Sequence, residues 1–333
     1  MTQRQPDRHE PNKSPLMHRF GRVWANFIAA LWVFLVGMVV FATVSVMFAR
    51  LGWVFDLLAN LAVYFFWTAL LFGLVSLSLG NTKKAVILLL CMGILSVPFS
   101  KRRAIFTESS ADVRVLIHNT HSTNANILSV LDGVRASGAD VVVLVEVNPV
   151  LVRLLIHDNP LEEVYPYMVK KGPIRDITPW RIILSKWPLE DRTTKEVVGC
   201  VVRSPAGPFG LIAVHPASPR NVSRWKAGTR LVEKTTAVVR GDIEEGLPVI
   251  VAGDLNSTPT GWRSELLCAR GDLARCKPML RWQGTYPAFL PGFAALAIDD
   301  AWVSSDWRVV SWQTVGSFGS DHRAVEIGLT LSQ

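Results

Sequence analysis

The chain divides near residue 103 into an apolar part and a part with the mixed pattern of a globular domain. Residues 23–99 are almost continuously hydrophobic, whereas from Ala104 onward short β-branched runs alternate with turn-rich polar stretches. The second part is long enough to bury a core of its own. The pattern therefore predicts an apolar N-terminal region, 23–100, and a globular domain, 104–333.

The globular domain has the periodicity of many strands and a few helices. Short apolar runs bounded by turn residues predict strands, at 113–117, 141–145, 182–184, 197–202, 210–214, 249–251, 301–303 and 325–331. Helical spacing of apolar residues predicts helices over 127–137, which Gly138 would end, and over 224–240. This alternation is typical of an α/β (α+β) sandwich.

The apolar region contains three candidate membrane spans. Segments 23–49 and 54–79 each exceed the roughly 20 residues that cross a bilayer core, and we predict both as transmembrane helices. A cleaved signal peptide is the alternative for the first, but that segment is long, lacks a small-residue cleavage site and is followed at once by another span. The third segment, 85–99, has only fifteen residues, with Pro98 near its end.

The topology depends on this third segment. If it crosses, the basic tail, 1–22, is cytoplasmic and the globular domain lies outside; if it only dips in, the domain is cytoplasmic. The basic run 101–103 favours a cytoplasmic domain, because positive residues tend to stay inside, whereas the unbroken hydrophobicity favours a crossing. We expect three spans, in an integral membrane protein whose globular domain is extracytoplasmic.

Two cysteines bear on the same question. Cys268 and Cys276 bracket a turn-rich segment, and their separation lets the chain fold back to disulfide distance. Disulfides persist in oxidising compartments, so a bridge would support the three-span topology. Two free thiols are the alternative.

Basic charge is concentrated in the N-terminal part. The net charge is +8, and residues 1–103 hold eleven of the 35 Lys and Arg and three of the 27 Asp and Glu, which leaves 24 of each sign in 104–333. A neutral domain does not favour nucleic-acid binding, which needs a basic surface. Two local clusters could serve such binding, or simply be solvated surface: Lys170, Lys171 and Arg175, and Arg220, Arg224 and Lys226.

Polar residues follow four of the predicted strands. They are Asn119, Glu146, His215 and the pair Asp254 and Asn256. Singly, such residues are more often caps, turn formers or hydrogen-bonded structural groups. Together, at the ends of strands on the rim of a sheet, they indicate a site.

The pair Asp254 and Asn256 suits attack on phosphorus. A carboxylate can orient and deprotonate a water while a nearby amide holds a phosphoryl oxygen. If the chain stays extended, a period of two puts both side chains on one side, with Gly253 allowing close approach of a ligand. A turn is the alternative for this segment.

A second pair, Asp321 and His322, precedes the last predicted strand. The imidazole can donate to a phosphate oxygen, and its other nitrogen needs an orienting acceptor, for which Asp299 is a candidate. Glu146 offers a hard oxygen ligand of the kind that Mg²⁺ prefers. No Cys/His pattern indicates zinc.

Six motifs in order resemble those of the endonuclease/exonuclease/phosphatase superfamily. They are HNT at Asn119, VEV at Glu146, AVHP at His215, GDLNSTP at Asp254, AIDDAWV at Asp299 and GSDH ending at His322. The resemblance spans about residues 112–331 and implies a four-layer α/β sandwich with the site at one edge of two packed sheets. TYP at residues 285–287 is similar to the membrane-anchored bacterial branch of this superfamily.

The resemblance also implies a divalent metal, Mg²⁺ or Mn²⁺. Glu146 would be its principal ligand, with Asn119 beside it and Asp321 near the metal. In the family, a metal-dependent catalytic domain of this kind hydrolyses phosphate esters.

The remaining roles follow from the same motifs. Asp254 would position the attacking water, and Asn256 the phosphate. His215 and His322 would stabilise charge on the phosphoryl oxygens. Asp299 would orient His322, although Asp300 stands where the family usually has an aromatic residue or His, so the choice between the two aspartates stays open.

The sequence therefore predicts a membrane-tethered, metal-dependent phosphoesterase that acts on a phosphodiester or phosphomonoester. A lipid head group is suggested by the tether, which raises the local concentration of membrane substrates; a small phosphorylated molecule is equally compatible with the residues. The alternatives are a DNase-like nuclease and a non-catalytic membrane scaffold that binds a phosphorylated ligand.

Overall fold

Two six-stranded sheets pack face to face in the computed structural model, which describes residues 15–100, 103–172, 180–278, 281 and 283–332. Residues 1–14 of the predicted basic tail lie outside these ranges, as do Lys101, Arg102 and Arg175. Val113, Val115 and Ile117 of the first strand point into the space between the sheets, because alternate residues of a strand face the same side.

The strands bear the following bounds: β1 Val113–Asn119, β2 Val141–Val147, β3 Tyr167–Lys171, β4 Trp180–Ser185, β5 Leu189–Asp191, β6 Val198–Ser204, β7 Gly207–Val214, β8 Val249–Asp254, β9 Ala274–Arg275, β10 Asp299–Val303, β11 Trp307–Thr314 and β12 Val325–Leu331. The order is β11-β12-β1-β2-β4-β3 in one sheet and β5-β6-β7-β8-β10-β9 in the other. Each sheet has one parallel pair near its centre, β1 with β2 and β7 with β8.

All eight predicted strands are present. The four that the pattern missed, β3, β5, β9 and β11, are the outer strands of the two sheets. An edge strand is covered on fewer sides and needs fewer apolar residues. This explains why β5, with the sequence LED, gave no hydrophobic signal.

Helices cover the outer face of each sheet. They are α5 Ile127–Ser137 and α6 Pro149–His157 on the first sheet, and α7 Val222–Glu244 and α8 Trp262–Arg270 on the second. The helix predicted over 127–137 ends as expected at Gly138, which is left-handed with φ 62°. The order helix, sheet, sheet, helix confirms the four-layer α/β sandwich.

The N-terminal region is helical. It contains α1 Pro15–Met47, a 3₁₀ turn at Ala49–Leu51, α2 Trp53–Asn60, α3 Ala62–Ser78 and α4 Thr82–Ser100. Among the described residues, one helix is long and apolar enough by itself to cross a membrane, over Ala29–Met47.

The predicted second span, 54–79, is not one straight helix. It is divided between α2 and α3, which are bent by 58° at their junction, as in a broken span or a re-entrant loop. The polar side chains of α2 bind the globular domain.

The predicted bridge between Cys268 and Cys276, both within the described part of the chain, does not form. Cys276 is fully buried between the two sheets, whereas Cys268 lies on α8 and packs in the cluster on the outer face of the second sheet. The sheet separates the two thiols, so the alternative of unbridged cysteines holds.

Candidate active site

The carboxyl ends of the two parallel strand pairs meet at one rim of the sandwich. Asn119 and Glu146 come from the first sheet, and His215 and Asp254 from the second. Asn119 Nδ2 donates to Asp254 Oδ2 at 3.0 Å, and His215 Nε2 lies 3.0 Å from Glu146 Oε1. The four polar strand ends predicted from sequence are therefore joined into one cluster across the gap between the sheets.

Glu146 is the extra residue of a β-bulge. The register of β2 against β4 shifts between Val145 and Val147, and Glu146 adopts a φ of 51°. A non-glycine residue in this region is strained, and such residues cluster at functional sites. His121 and Asn256, with φ of 59° and 50°, share this conformation at the same rim.

The environment of Glu146 keeps its carboxylate charged. Burial by itself would raise the pKa of Glu146, but hydrogen bonds from His215 and Asn119 and the positive field of His322 outweigh it and lower this pKa to about 2. The side chain remains 26% exposed. It is therefore an anionic oxygen group that is partly open to solvent.

The segment after β8 turns sharply, so the extended arrangement of Asp254 and Asn256 is wrong and the alternative of a turn is right. The Asn256 backbone N–H donates to Asp254 Oδ1 at 2.6 Å, and its side-chain Nδ2 donates to Asp254 Oδ2 at 3.2 Å. Gly253 was predicted to allow close approach of a ligand, but its role in the structure is different. A Cβ there would lie 2.1 Å from the Val214 carbonyl oxygen, so glycine accommodates the neighbouring strand rather than a ligand.

Asp254 is almost fully buried at the centre of the rim. Its burial and the nearby negative charge of Asp299 raise the pKa of Asp254 to about 6, although His322 and His215 oppose this shift. A carboxyl group with a pKa in this range can both hold and release a proton near neutral pH.

His322 is paired with Asp299. Its Nδ1 lies 2.8 Å from Asp299 Oδ2, and its Nε2 faces the Asn119 amide at 3.5 Å. Burial would lower the pKa of His322, but the charge and hydrogen bond of Asp299, together with Asp254 and Asp321, raise it to about 10. The imidazole is therefore a cation whose Nε2 points into the site.

Asp300 faces the opposite side of β10, because neighbouring residues of a strand alternate. Its carboxylate accepts hydrogen bonds from Arg275 Nε at 2.5 Å and from Trp312 Nε1 at 2.8 Å. The geometry thus resolves the open choice: Asp299, and not Asp300, contacts His322.

Asp321 stands apart from the other predicted metal ligands. Its Oδ1 lies 3.8 Å from His121 Nδ1, and both side chains are 41% exposed. Among the described residues, two groups of acidic and imidazole side chains lie close enough to hold a metal ion: Glu146 with His215 and Asp254, and Asp254 with Asp299 and His322. Asp321 belongs to neither group.

The two groups of side chains favour different ligands. The second contains a cationic imidazole already bonded through Nδ1, which favours an anion. The first presents the anionic, partly exposed Glu146, with the Asn119 amide beside it, as a hard cation such as Mg²⁺ requires. Buried atoms at the rim without a protein hydrogen-bond partner include His215 Nδ1, Asp299 Oδ1 and Asp321 Oδ1, which is typical of a site that is completed by a polar ligand or water.

Three further contacts were not predicted from the sequence. The Tyr286 ring lies 4.7 Å from the His322 ring, centroid to centroid. Asp56 and Asn60 of α2 accept hydrogen bonds from the segment that follows Asp254. A signal for Asp56 existed, because a carboxylate inside a predicted membrane span is costly and usually functional.

Comparisons with solved structures show the same fold. The solved structures that are similar include a conserved protein of unknown function from Enterococcus faecalis V583 (TM-score 0.53, 15% identity, 66% of this chain and 100% of that chain) and the human nocturnin catalytic domain with bound sulfate (0.51, 15%, 71% and 99%). Truncated TDP2 from Caenorhabditis elegans is also similar (0.50, 16%, 66% and 98%). At these identities the similarity shows the fold. No curated protein matches the sequence.

The sequence matches the model of a protein family, the "Endonuclease/Exonuclease/phosphatase family", over residues 116–322. This match covers more than half of the chain and runs from β1 to His322, so it includes each strand end that forms the rim. The chain belongs to the endonuclease/exonuclease/phosphatase family, as its motifs predicted.

Proposed function

We propose that the protein is a membrane-tethered phosphoesterase that uses a divalent metal and a water molecule to cleave a phosphodiester or phosphomonoester by in-line attack. Members of the family are usually metal-dependent hydrolases of phosphate esters. The observation that carries the proposal is the juxtaposition at one rim of an anionic Glu146, the buried Asp254 and the cationic His322.

The metal, Mg²⁺ or Mn²⁺, would be held by Glu146 with Asn119 beside it; Asp321, at the mouth of the site, is the more distant candidate. When bound, the metal supplies polarisation of a phosphoryl oxygen and neutralisation of its charge. The other steps, activation of the water and stabilisation of the developing charge, are carried out by side chains of the protein.

Asp254 is placed to orient the attacking water and take its proton. Its carboxylate is fixed by Asn119 and by the turn through Asn256. The Asn256 amide donates to Asp254 Oδ2 and to the Pro216 carbonyl, and it would exchange one of these bonds to hold a phosphoryl oxygen. His322 donates from Nε2 to the developing negative charge, because Asp299 occupies Nδ1 and keeps the ring protonated. His215, beside Glu146, contributes to the same stabilisation.

A phospholipid head group is the substrate class that we favour. The segment from Tyr286 to Ala294 runs beside His322 and carries Phe289 and Phe293, which are 83% and 58% exposed. Tyr64 of α3 donates to the Ala294 carbonyl at 2.9 Å, so this apolar segment adjoins the helices that we propose to be in the membrane. Exposed aromatic side chains in such a position suit the bilayer interface.

The proposed tether consists of α1, α3 and α4, with the domain on the extracytoplasmic side. Hydrolysis of a membrane-impermeant substrate by intact cells tests that side directly, since a cytoplasmic domain would require lysis. One alternative, a DNase-like nuclease, is weakened by the neutral charge of residues 104–333.

The central test is hydrolysis by the full-length protein in lipid nanodiscs, with phospholipids, nucleotides, sugar phosphates and duplex DNA as substrates. We expect turnover that is abolished by EDTA and restored by Mg²⁺ or Mn²⁺. Preference for DNA would favour the nuclease, and binding without turnover of any ester would favour the scaffold. Undiminished activity in EDTA would contradict the metal dependence.

A second experiment addresses the lipid substrate. Burial of one Phe side chain contributes about 2 kcal/mol, so replacing Phe289 and Phe293 by Asp should slow hydrolysis of bilayer-presented substrate by at least about tenfold. Hydrolysis of a soluble aryl phosphodiester should not change. Ile156→Asp, at the far end of α6, is the matched control. Equal effects on both substrates would show that the segment acts on the site and not on the bilayer.

A further inference from the structure

The helix α2 carries two buried polar side chains on the face that meets the globular domain. Asp56 and Asn60 are 1% and 8% exposed and lie one helical turn apart. Asn60 Nδ2 donates to Asp56 Oδ1 at 3.1 Å. Asn60 Nδ2 also donates to the Asp56 carbonyl at 2.8 Å. Buried polar groups of this kind are costly unless they are fully hydrogen-bonded, and the remaining partners of these two side chains lie outside α2.

Asn60 binds the segment 254–261, which contains Asp254 and Asn256 and is called here the catalytic loop. Asn60 Oδ1 accepts hydrogen bonds from the Thr258 backbone N–H at 2.6 Å and from its hydroxyl at 3.2 Å. The Thr260 hydroxyl donates to the Ala59 carbonyl at 2.6 Å. Part of the backbone hydrogen bonding of the loop is thus supplied by α2 and not by the loop itself.

Asp56 supplies the missing cap of α8. The first N–H groups of a helix need acceptors, which the preceding side chain often provides, but Gly261 at that position has no side chain to offer. Asp56 Oδ1 accepts from the Trp262 backbone N–H at 2.7 Å, and Oδ2 accepts from Trp225 Nε1 at 2.8 Å. A cap from a distant part of the chain therefore fixes the end of the catalytic loop.

The glycine at position 261 allows this close approach. A Cβ there would lie 2.4 Å from Asn60 Oδ1 and 2.2 Å from Ser257 Oγ. At the start of α2, Trp53 Nε1 donates to the Pro219 carbonyl at 2.6 Å, so the helix is bound at both ends.

We propose that α2 is a clamp that sets the position of the catalytic loop, with Asn60 and Asp56 as positioning residues for Asp254 and Asn256. The hydrolytic unit then begins in the N-terminal region and not at residue 104, and the apolar region is more than a tether. This inference rests on the proposed function, because the loop matters to turnover only if Asp254 acts on the substrate.

The test uses the full-length protein in nanodiscs with a soluble aryl phosphodiester and Mn²⁺. A small misplacement of a catalytic group is costly, so Asn60→Ala should lower kcat by about tenfold or more. The KM and the half-saturating Mn²⁺ concentration should change by less than about twofold, because Glu146 and the first sheet are not displaced. Leu57→Ala, on the exposed face of the same helix, is the matched control and should match the wild type.

Amide hydrogen exchange provides a second measurement that does not depend on activity. Asn60→Ala should speed exchange in peptides covering 254–262, while Leu57→Ala should not. If the wild-type protein hydrolyses no ester, the proposed function fails and exchange alone decides on the clamp. Unchanged exchange and unchanged kcat in folded Asn60→Ala protein would overturn the clamp, as would a parallel rise in KM and in the metal requirement.

Discussion

Replacing Glu146 by Gln, or Asp254 by Asn, is expected to lower kcat/KM by about a hundredfold or more, because each change removes charge that is used in the transition state. Both substitutions keep the size of the side chain. The two losses should differ in kind. Glu146→Gln should raise the metal concentration needed for half-maximal activity, since the neutral amide is a poorer ligand, whereas Asp254→Asn should lower kcat at saturating metal.

The control is the same chemical change at a carboxylate away from the rim. Asp132 on α5 is 75% exposed and pairs with Arg135 on the same helix. Surface pairs of this kind contribute little, so Asp132→Asn should retain activity within about twofold. Full activity in Asp254→Asn would refute the assignment of this residue, and an unchanged metal requirement in Glu146→Gln would refute that ligand.

The sequence predicted the inner strands of both sheets well because burial on two faces forces apolar runs. Val141–Val147 and Val249–Asp254 are of this kind, and their bounds were found to within a few residues. Edge strands such as β9 carry no such constraint. They are set by hydrogen bonds to a neighbour that the local sequence does not reveal.

The site was predictable for a related reason. Parallel strands bring their carboxyl ends to one edge, so polar residues after β1, β2, β7 and β8 must meet there. The bulge that turns Glu146 toward His215 was not predictable, because it depends on how β2 pairs with β4. Nor was the contact of α2 with the catalytic loop, which joins residues about 200 positions apart.

The charge states of the residues at the rim also depend on the tertiary structure. His322 is held as a cation by three carboxylates from other parts of the chain or from its immediate neighbour. Only Asp321 is local. Sequence spacing can name such residues as candidates, but their charge states follow from the distances that the fold creates.

Loss of Asp299 is expected to reproduce most of the loss caused by removing His322. Asp299 accepts from Nδ1 and sustains the positive charge of the ring, so Asp299→Asn should lower kcat by about a hundredfold, close to the effect of His322→Ala. The double variant should be little worse than His322→Ala alone, because residues that act as a unit are not additive.

Asp300→Asn is the matched control for this pair, since it makes the same chemical change one residue along β10. Asp300 neutralises Arg275, which is 3% exposed, and breaking a buried ion pair from one side costs about 3–5 kcal/mol. The variant should therefore unfold at a lower temperature, as measured by circular dichroism, yet keep kcat in its folded state. Asp299→Asn also breaks a buried pair, with His322, so it should lower the thermal midpoint as well, but its folded state should show a large loss of turnover. If folded Asp300→Asn were the inactive protein and Asp299→Asn retained its activity, the contact between Asp299 and His322 would have no part in catalysis.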